Sequence, residues 1–339
     1  MTDLFKLKFR NEAIKMIAIS LACLTMGCSS DDDDDDDYGD WVEVSVFDGV
    51  PRSNAVAFTI DNKGYMGTGY DGDDYLNDFW AYDFDGNYWY QLSDLPGVAR
   101  SYAVAFDANN KGYVGLGYDG ETNDELGDFY SYDPQANTWT AIADFGGGTR
   151  RGAVAFSSET AGYVGTGYDG QNDKKDFWKY DPSADTWTLQ TGFGGEKRRE
   201  ASTFKIDNTV YLGTGVSNGL FQTDFWAFDL DTETWTQLED LDEDDDYSIV
   251  RNNGVGFSMN GKGYFGLGVY SSYVDNAIWE YDPLSDSWEE KGDFEGVARQ
   301  GSIAFSNGSR AFVALGKTGS LYLDDNYEFF PNEVKDTDD

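Results

Sequence analysis

A unit of about 48 residues occurs six times along this chain, and this repetition constrains the fold more than any other feature. Each copy carries an Arg, a Phe six residues later and a Tyr or Phe seven residues further on, and neither spacing varies. The copies begin at Arg52, Arg100, Arg150, Arg198, Arg251 and Arg299. Periods of about 20 to 50 residues are typical of solenoids and propellers.

Each unit is predicted to form four short strands, named a to d here. In the second unit these are RSYAVAF, KGYVGLG, DFYSYD and NTWTAI, and the a–b and c–d turns are rich in Asn, Asp, Gly and Pro. β-rich runs of this length with tight-turn residues between them favour antiparallel hairpins. Because four antiparallel strands per repeat make a propeller blade, we predict an all-β, six-bladed β-propeller.

The tryptophans indicate how the ring closes. All ten lie either in strand c or nine residues later in strand d. The sixth unit has no Trp in strand d, whereas Trp41 stands before the first unit in the setting of that strand. We therefore expect the first strand to complete the last blade, which leaves no open sheet edge at the junction.

The repeats resemble kelch repeats, including those of the galactose oxidase propeller. The similarity rests on the Gly-rich strand b, the aromatic strand c that ends in Tyr-Asp, the Trp six residues beyond that Asp, and the period. It covers Trp41 to about Phe330. Kelch repeats usually carry adjacent glycines, whereas these alternate, as in Gly67-Thr68-Gly69. The resemblance implies that ligands bind on the face that carries the d–a and b–c loops.

The chain start is predicted to be an export signal over residues 1–27, because basic residues precede the short apolar run MIAISLACLTMG. Gly27-Cys28 resembles the lipobox of bacterial lipoproteins, which implies lipidation of Cys28; a plain signal peptide is the alternative. Seven aspartates, Asp31 to Asp37, predict an extended acidic tether over residues 28–40. We expect the propeller over residues 41–330 and an acidic tail over 331–339.

These features predict an exported outer-membrane lipoprotein at the cell surface, with the periplasmic side as the alternative. The lipid anchor is then the expected contact with the membrane. The formal net charge of −39 argues against nucleic acid as a partner, because both surfaces are strongly negative. A glycan or an extracellular or periplasmic protein is the partner we expect.

Composition excludes several chemistries. The chain has no His, and its two cysteines are Cys23 and Cys28. Catalysis through His and the copper-radical chemistry of galactose oxidase are therefore excluded for the propeller. We predict no cofactor. Calcium is the alternative, because Tyr70–Asp78 and Leu241–Tyr247 are rich in carboxylates, although neither has the spacing of a defined calcium loop.

Strand direction predicts that the d–a and b–c loops share one face, where six Arg would surround the channel mouth. Guanidinium groups bind carboxylates bidentately, and aromatic rings stack on sugars. The candidate ligand-binding residues are Arg52, Arg100, Arg150, Arg198, Arg251 and Arg299, with Tyr102 and Glu200 two residues after an Arg and Tyr75, Tyr118 and Tyr273 in the b–c loops. Other aromatics of these loops are Tyr70, Tyr168, Phe221, Tyr270 and Tyr322.

An alternative role for the six Arg is structural. Five blades carry an Asp just before the strand c aromatics, so each Arg could form a repeated ion pair; these are Asp78, Asp128, Asp176, Asp224 and Asp325. Blade five has Ala277 instead, which predicts that Arg251 is the one free for a ligand unless Asp275 compensates.

Three functions fit this sequence. The one we favour is a non-catalytic module that binds a glycan or protein through the d–a/b–c loop face. The second is an enzyme that resembles the kelch-type bacterial sialic acid mutarotase, with Glu200 as the candidate catalytic residue beside Arg198, Arg199 and Arg251. Glu200 has the simpler alternative of pairing with Arg199 or Arg198. The third is a structural or adhesive surface protein.

Overall fold

The computed structural model describes residues 38–241 and 248–336. The predicted signal peptide, Cys28 and the aspartate run lie outside the described residues, as does the acidic stretch 242–247. Every regular element in the described ranges is a β-strand. No helix in that part of the chain is long and apolar enough to span a bilayer.

The strands recur in one order, and blades 2, 4, 5 and 6 add a two-stranded hairpin between strands b and c. In chain order they are β1 Tyr38–Glu43; in blade 1 β2 Val56–Ile60, β3 Lys63–Gly67, β4 Phe79–Asp83 and β5 Tyr88–Gln91; in blade 2 β6 Val104–Ala108, β7 Lys111–Gly115, β8 Tyr118–Asp119, β9 Asp124–Glu125, β10 Phe129–Asp133 and β11 Thr138–Ile142; in blade 3 β12 Val154–Ser157, β13 Gly162–Gly165, β14 Phe177–Asp181 and β15 Thr186–Gln190; in blade 4 β16 Ser202–Ile206, β17 Thr209–Gly213, β18 Val216–Ser217, β19 Leu220–Phe221, β20 Trp226–Asp229 and β21 Thr234–Gln237; in blade 5 β22 Val255–Met259, β23 Lys262–Gly266, β24 Val269–Tyr270, β25 Tyr273–Val274, β26 Ile278–Asp282 and β27 Ser287–Lys291; and in blade 6 β28 Ile303–Ser306, β29 Ala311–Ala314, β30 Lys317–Thr318, β31 Leu321–Tyr322 and β32 Asn326–Val334.

Blades 1 to 5 are four-stranded antiparallel meanders, such as β2-β3-β4-β5. Blade 6 combines β28, β29 and β32 from the end of the chain with β1 from the start. The innermost strands β2, β6, β12, β16, β22 and β28 each contact the next around the ring, and β28 contacts β2. The predicted six-bladed propeller, closed by the N-terminal strand, is therefore confirmed.

Trp41 completes blade 6 in the register of the other blades. It lies opposite Phe329 on β32, as Trp89 lies opposite Tyr82 in blade 1. Its indole is 1% exposed and stacks on Phe329 with ring centroids 4.4 Å apart. The borrowed strand is thus anchored by core packing as well as by ladder hydrogen bonds.

The propeller extends further at both ends than the predicted 41–330. Tyr38 pairs with Val334, and buried Asp40 accepts a hydrogen bond from the backbone N–H of Asp336 at 2.9 Å. Residues 38–40, predicted as part of the tether, therefore belong to β1, and residues 331–334, predicted as part of the tail, belong to β32. The predicted boundaries 41–330 were too narrow because β1 and β32 pair without a connecting turn, and so no turn residues in the sequence mark where their ladder ends.

The fixed Arg-Phe-Tyr spacing reflects packing within a blade. Phe58 and Tyr65 lie opposite each other on β2 and β3, and their rings stack 5.1 Å apart at an angle of 7°. Equivalent stacks recur in the next four blades, between Phe106 and Tyr113, Phe156 and Tyr163, Phe204 and Tyr211, and Phe257 and Tyr264. A one-residue change in spacing would turn one ring to the opposite face of the sheet.

The strand d tryptophans join neighbouring blades. The Trp139 indole N–H of blade 2 donates to the carbonyl of Ser93, which follows blade 1, at 2.8 Å. The Trp139 ring also packs edge-on against Phe79 of blade 1 at 4.9 Å. Trp89 and Trp187 donate to the preceding d–a loops in the same way. The scaffold therefore holds its six inner strands at fixed positions around the channel.

Candidate functional site

The d–a loops and b–c hairpins lie on one side of the ring, named the hairpin face. In every blade the residue after the repeated Arg pairs with the start of the b–c hairpin. These pairs are Ser53 with Tyr70, Ser101 with Tyr118, Arg151 with Tyr168, Arg199 with Val216, Asn252 with Val269 and Gln300 with Lys317. The prediction that these loops share a face is confirmed.

The six repeated Arg side chains are buried, with no exposed surface. Arg100 donates to both carboxylate oxygens of Asp128 at 2.6 and 2.8 Å, and to the carbonyls of Leu116 at 3.1 Å and Val98 at 2.8 Å. Four further blades repeat the ion pair, as Arg52–Asp78, Arg150–Asp176, Arg198–Asp224 and Arg299–Asp325. The structural alternative is confirmed, and the expectation that these guanidinium groups line the channel mouth is wrong because their donors serve the protein itself.

Arg251 is not free either. Where blade five lacks the Asp, its guanidinium donates to the carbonyls of Leu267 at 2.9 Å and Ala277 at 3.1 Å, and Asp275 lies 3.4 Å away. Burial lowers the pKa of Arg251 to about 10 against the opposing effect of Asp275, so the group stays charged at neutral pH. The prediction that Arg251 is available to a ligand is corrected.

Four of the paired carboxylates, Asp78, Asp128, Asp176 and Asp224, have lowered pKa values and are ionised at neutral pH. Burial acts to raise the pKa of Asp128, but the hydrogen bonds and charge of Arg100 outweigh it, and the net pKa is lowered. The pKa values of Asp78, Asp176 and Asp224 are lowered by the same balance with their Arg partners. An indole N–H also donates to the carboxylate in three blades, as from Trp80 to Asp78 at 2.7 Å.

A closed ring of backbone hydrogen bonds frames the channel mouth. The N–H of Tyr102 donates to the carbonyl of Asn54 at 3.1 Å, and equivalent bonds run through Gly152, Glu200, Asn253 and Gly301 back to Asn54. All six residues have a positive φ, between 53° and 66°. These residues and the small residues that follow them line a cavity of about 160 Å³. The mouth is therefore narrow, and its side chains are presented by a rigid backbone.

A second ring of six bonds lies outside the first. The N–H of Gly69 donates to the carbonyl of Arg100 in the next blade at 2.8 Å, and the last such bond runs from Gly316 to Arg52. Gly69 has a φ of 106°, and a Cβ there would lie 2.9 Å from the Ser53 carbonyl oxygen. Glycine is thus required at this position by its positive φ and by the close approach of the Ser53 carbonyl.

Glu200 and Tyr102 lie together at this mouth. Glu200 Oε2 accepts a hydrogen bond from Asn252 Nδ2 at 2.5 Å, and its Oε1 lies 3.9 Å from Arg199 Nε. The simpler role expected for Glu200, pairing with Arg199, is present, although Asn252 is the nearer partner. Burial, followed by the charge of Glu200, raises the pKa of Tyr102 to about 12. Tyr102 therefore carries its proton at neutral pH and is a hydrogen-bond donor.

A row of tyrosines and arginines in mutual contact crosses the hairpin face from blade 1 to blade 4. It consists of Tyr70, Tyr75, Tyr118, Arg151, Tyr168 and Arg199, and is named the Tyr–Arg row. Successive ring centroids are 4.8 Å apart for Tyr70 and Tyr75 and 6.0 Å apart for Tyr75 and Tyr118. The Arg151 guanidinium lies 4.4 Å from the Tyr118 ring and 5.4 Å from the Tyr168 ring, and Arg199 lies 5.0 Å from Tyr168.

The two arginines of this row are partly accessible to solvent. The side chain of Arg151 is 32% exposed and that of Arg199 is 28% exposed. Glu125 lies 3.5 Å from Arg151, and buried Asp173 accepts from Arg199 Nη1 at 2.8 Å. One edge of each guanidinium is held by the protein while part of its surface faces solvent.

Sequence reasoning missed Arg151 and had placed Arg199 only beside Glu200. A signal was present one residue after the repeated Arg, where the blades carry Ser53, Ser101, Arg151, Arg199, Asn252 and Gln300. Two adjacent cations break the repeat there. Positions at which repeats differ are where a symmetrical scaffold acquires specificity.

Blades 4 to 6 present a different hairpin surface. Leu220, Tyr273 and Leu321 occupy the same position in consecutive hairpins and are 70%, 54% and 57% exposed. The corresponding residues of blades 1 to 3 are polar, namely Asp74, Asp124 and Asn172. The predicted site residue Tyr273 therefore belongs to this set, named the apolar tips, and not to the Tyr–Arg row.

Carboxylates of the first calcium candidate serve the fold. Asp71 Oδ1 accepts from the backbone N–H groups of Asp73 and Asp74 and so caps the turn, while Asp78 pairs with Arg52. In residues 38–241 and 248–336, no group of three or more His, Cys, Asp or Glu side chains is placed to hold a metal ion. Most of the second candidate, residues 242–247, lies outside the described residues.

Comparisons with known proteins agree with this architecture. A family model described as the kelch motif matches residues 68–96, from the b–c loop of blade 1 to the following d–a loop. A solved structure described as "Structure of YjhT" aligns with a TM-score of 0.71 and 16% sequence identity, over 83% of this chain and 95% of that chain. At this identity the likeness shows the fold alone. A search of curated proteins found no match. Together, the motif match and the six four-stranded blades support a kelch-repeat propeller.

Proposed function

We propose that this protein is a non-catalytic binding module that holds an acidic glycan on the Tyr–Arg row of the hairpin face. The observation that carries the proposal is the continuous row of tyrosine rings from Tyr70 to Tyr118, followed by guanidinium groups that alternate with rings as far as Arg199. Aromatic faces stack on the apolar faces of sugars, and guanidinium groups bind carboxylates. Contacts spread over four blades suit an oligosaccharide better than one sugar ring.

The arginines explain why the proposed glycan is acidic. A carboxylate that meets Arg151 or Arg199 would form a charge-assisted hydrogen bond, which is stronger than one between neutral groups. The rest of the protein is strongly negative, with 63 Asp and Glu against 24 Lys and Arg. An anionic ligand would therefore be attracted at this row and repelled elsewhere, which favours one orientation.

Calorimetric titration of matched acidic and neutral oligosaccharides tests this proposal. We expect saturable binding of an acidic member and about tenfold or greater weakening by Arg199→Gln or Arg151→Gln, because each removes a charged donor. The control is Arg310→Gln, whose Arg is also 32% exposed but lies in an a–b turn on the opposite face. Binding that no row variant weakens, or no binding of any acidic glycan, would reject the proposal.

Substitution of Glu200 distinguishes a mutarotase-like enzyme from a non-catalytic binding module. An acid or base at the channel mouth must exchange a proton with the sugar, and Glu200 is the carboxylate among the six residues that frame the mouth. We expect anomer exchange of bound acidic sugars, followed by NMR, to be equal in wild type and Glu200→Gln. Faster exchange in wild type that Glu200→Gln removes would instead establish the enzyme.

The apolar tips favour a second candidate function, the binding of a protein partner. Leu220, Tyr273 and Leu321 repeat an exposed apolar side chain at one position of three adjacent hairpins, and apolar side chains gathered on one surface are typical of protein–protein contacts. The triple variant Leu220→Ser, Tyr273→Ser, Leu321→Ser is expected to lose a partner that wild type retains in cross-linking at the cell surface. An unchanged cross-linking pattern would remove this candidate and, with it, an adhesive role through the tips.

We further propose that the protein works outside the cytoplasm as a lipoprotein anchored through Cys28, with the acidic tether as spacer. The support is the sequence pattern of residues 1–37. Mass spectrometry of the protein from its native membrane tests this directly. An acylated N-terminal Cys28 is expected, and a chain that starts elsewhere without acylation would contradict it.

A further inference from the structure

The end of the central channel away from the hairpin face carries a ring of polar side chains, one from each blade, named the channel-end ring. Its members are Thr59, Asp107, Ser157, Lys205, Ser258 and Ser306, at equivalent positions near the end of strand a. The channel wall before them consists of small residues such as Ala57, Ala105 and Gly256. The charged groups of the ring therefore meet a cavity that no bulky side chain fills.

Two members of the ring carry opposite charges and lie on either side of Ser157. Ser157 Oγ donates to Asp107 Oδ1 at 3.4 Å, a long hydrogen bond, and Lys205 Nζ donates to the Ser157 carbonyl at 3.3 Å. Asp107 and Lys205 form no ion pair with each other among the described residues. Ser157 thus separates a carboxylate from an ammonium group at one side of the cavity.

Three other members of the ring, Thr59, Ser258 and Ser306, are linked to one another by hydrogen bonds. Ser306 donates through its hydroxyl to the carbonyl of Ser258 and through its backbone N–H to Thr59 Oγ1. Burial raises the pKa of Asp107, and the opposing charge of Lys205 does not cancel this effect. The ring is therefore asymmetric: its neutral side is closed by internal hydrogen bonds, and its charged side lacks a full complement of partners.

We propose that the channel-end ring is a second binding site, which takes a small zwitterion with its ammonium group on Asp107 and its carboxylate on Lys205. Free amino acids and short amino carboxylic acids have this chemistry. The cavity of about 220 Å³ at this end suits one small molecule and not a polymer chain. The site lies at the opposite end of the channel from the Tyr–Arg row and does not depend on the function proposed there.

Titration of the whole protein with a graded set of ligands tests this site. The set is glycine, β-alanine, 4-aminobutyrate and 6-aminohexanoate, with ethylamine and acetate as ligands of one charge. We expect saturable binding of at least one zwitterion, and about tenfold or greater weakening for the single-charge compounds, because each can satisfy only one of the two charged side chains.

Variants assign the binding to named residues. Asp107→Asn and Lys205→Gln are each expected to weaken zwitterion binding about tenfold or more. Lys111→Gln, at a Lys of blade 2 that lies outside the ring and is 45% exposed, is expected to leave it unchanged. Because Lys205 is exposed, Lys205→Gln tests the site even if Asp107→Asn disturbs folding. Absence of zwitterion binding at millimolar concentrations, or binding that Lys205→Gln leaves intact, would overturn the proposal.

Discussion

At the residue scale, the Arg repeated in every blade is structural, whereas the arginines found at one position in two blades are partly exposed. The six buried Arg each hold a d–a loop against strands b and c, as Arg100 does through Val98, Leu116 and Asp128. A residue that occurs in every blade makes the contacts that all six blades have in common. Arg151 and Arg199 are present in two blades only, and both are partly exposed.

Removal of one acidic partner should be costly, because it leaves a buried guanidinium without its counter-charge. Asp128→Ala is expected to lower the free energy of unfolding by about 2 to 4 kcal/mol, less than for a fully buried pair because Asp128 is partly exposed. Thermal unfolding measures this. Asp124→Ala, an exposed acid of the same blade, is the control, and equal melting temperatures for the two variants would contradict the role of the ion pair.

The same carboxylates predict how this difference depends on pH. Their pKa values are lowered by folding, so each stabilises the native state above its unfolded pKa of 3.8 and loses that effect as pH falls through the folded value. The gap in melting temperature between wild type and Asp128→Ala should therefore be constant near neutral pH and shrink below about pH 4. A gap that widens in acid would show that the pair is not ionised in the native state.

At the element scale, the blades are joined by hydrogen bonds between each blade and the next one around the ring. The strand d indoles and the two backbone rings at the mouth all run from one blade to the next. Strand β1 is the element that makes this cycle complete, because without it blade 6 would expose the edge of β32.

Trp41→Ala tests the closing strand. The indole is buried between Phe329, Phe294 and Phe257, so its loss should cost about 3 to 5 kcal/mol and free β1 from the ladder. We expect a lower melting temperature together with proteolytic cleavage near residues 38–43. Tyr88→Ala on β5, at an aromatic that is 49% exposed, serves as the control. Equal melting temperatures and equal proteolysis of Trp41→Ala and Tyr88→Ala would show that ring closure does not depend on β1.

The fold could be predicted from the sequence in more detail than the site. The invariant Arg, Phe and Tyr spacings determine the number of blades, because a change in spacing would disturb the packing of a blade. The position of Trp41, ahead of the first repeat, determines how the ring closes. The site depends on contacts between hairpins of different blades, such as Arg151 between Tyr118 and Tyr168, which a one-dimensional pattern does not show. Likewise, the burial of Arg251 follows from carbonyl groups that replace the missing Asp, and backbone acceptors leave no trace in residue identities.

At the scale of the whole molecule, a six-fold scaffold carries a surface without that symmetry. The Tyr–Arg row occupies blades 1 to 4, the apolar tips occupy blades 4 to 6, and the charged side of the channel-end ring spans blades 2 to 4. Function is expected where the symmetry breaks, since the shared residues are used by the fold. Under the proposed function, the glycan would occupy the part of the hairpin face formed by blades 1 to 4.

Hydrogen–deuterium exchange with and without a bound acidic oligosaccharide tests this central claim most directly. We predict slower exchange in the b–c hairpins at residues 70–75, 118–125 and 168–173, with no change in the a–b turns on the opposite face. Protection confined to those turns, or to the repeated Arg positions without the hairpins, would contradict recognition by the Tyr–Arg row.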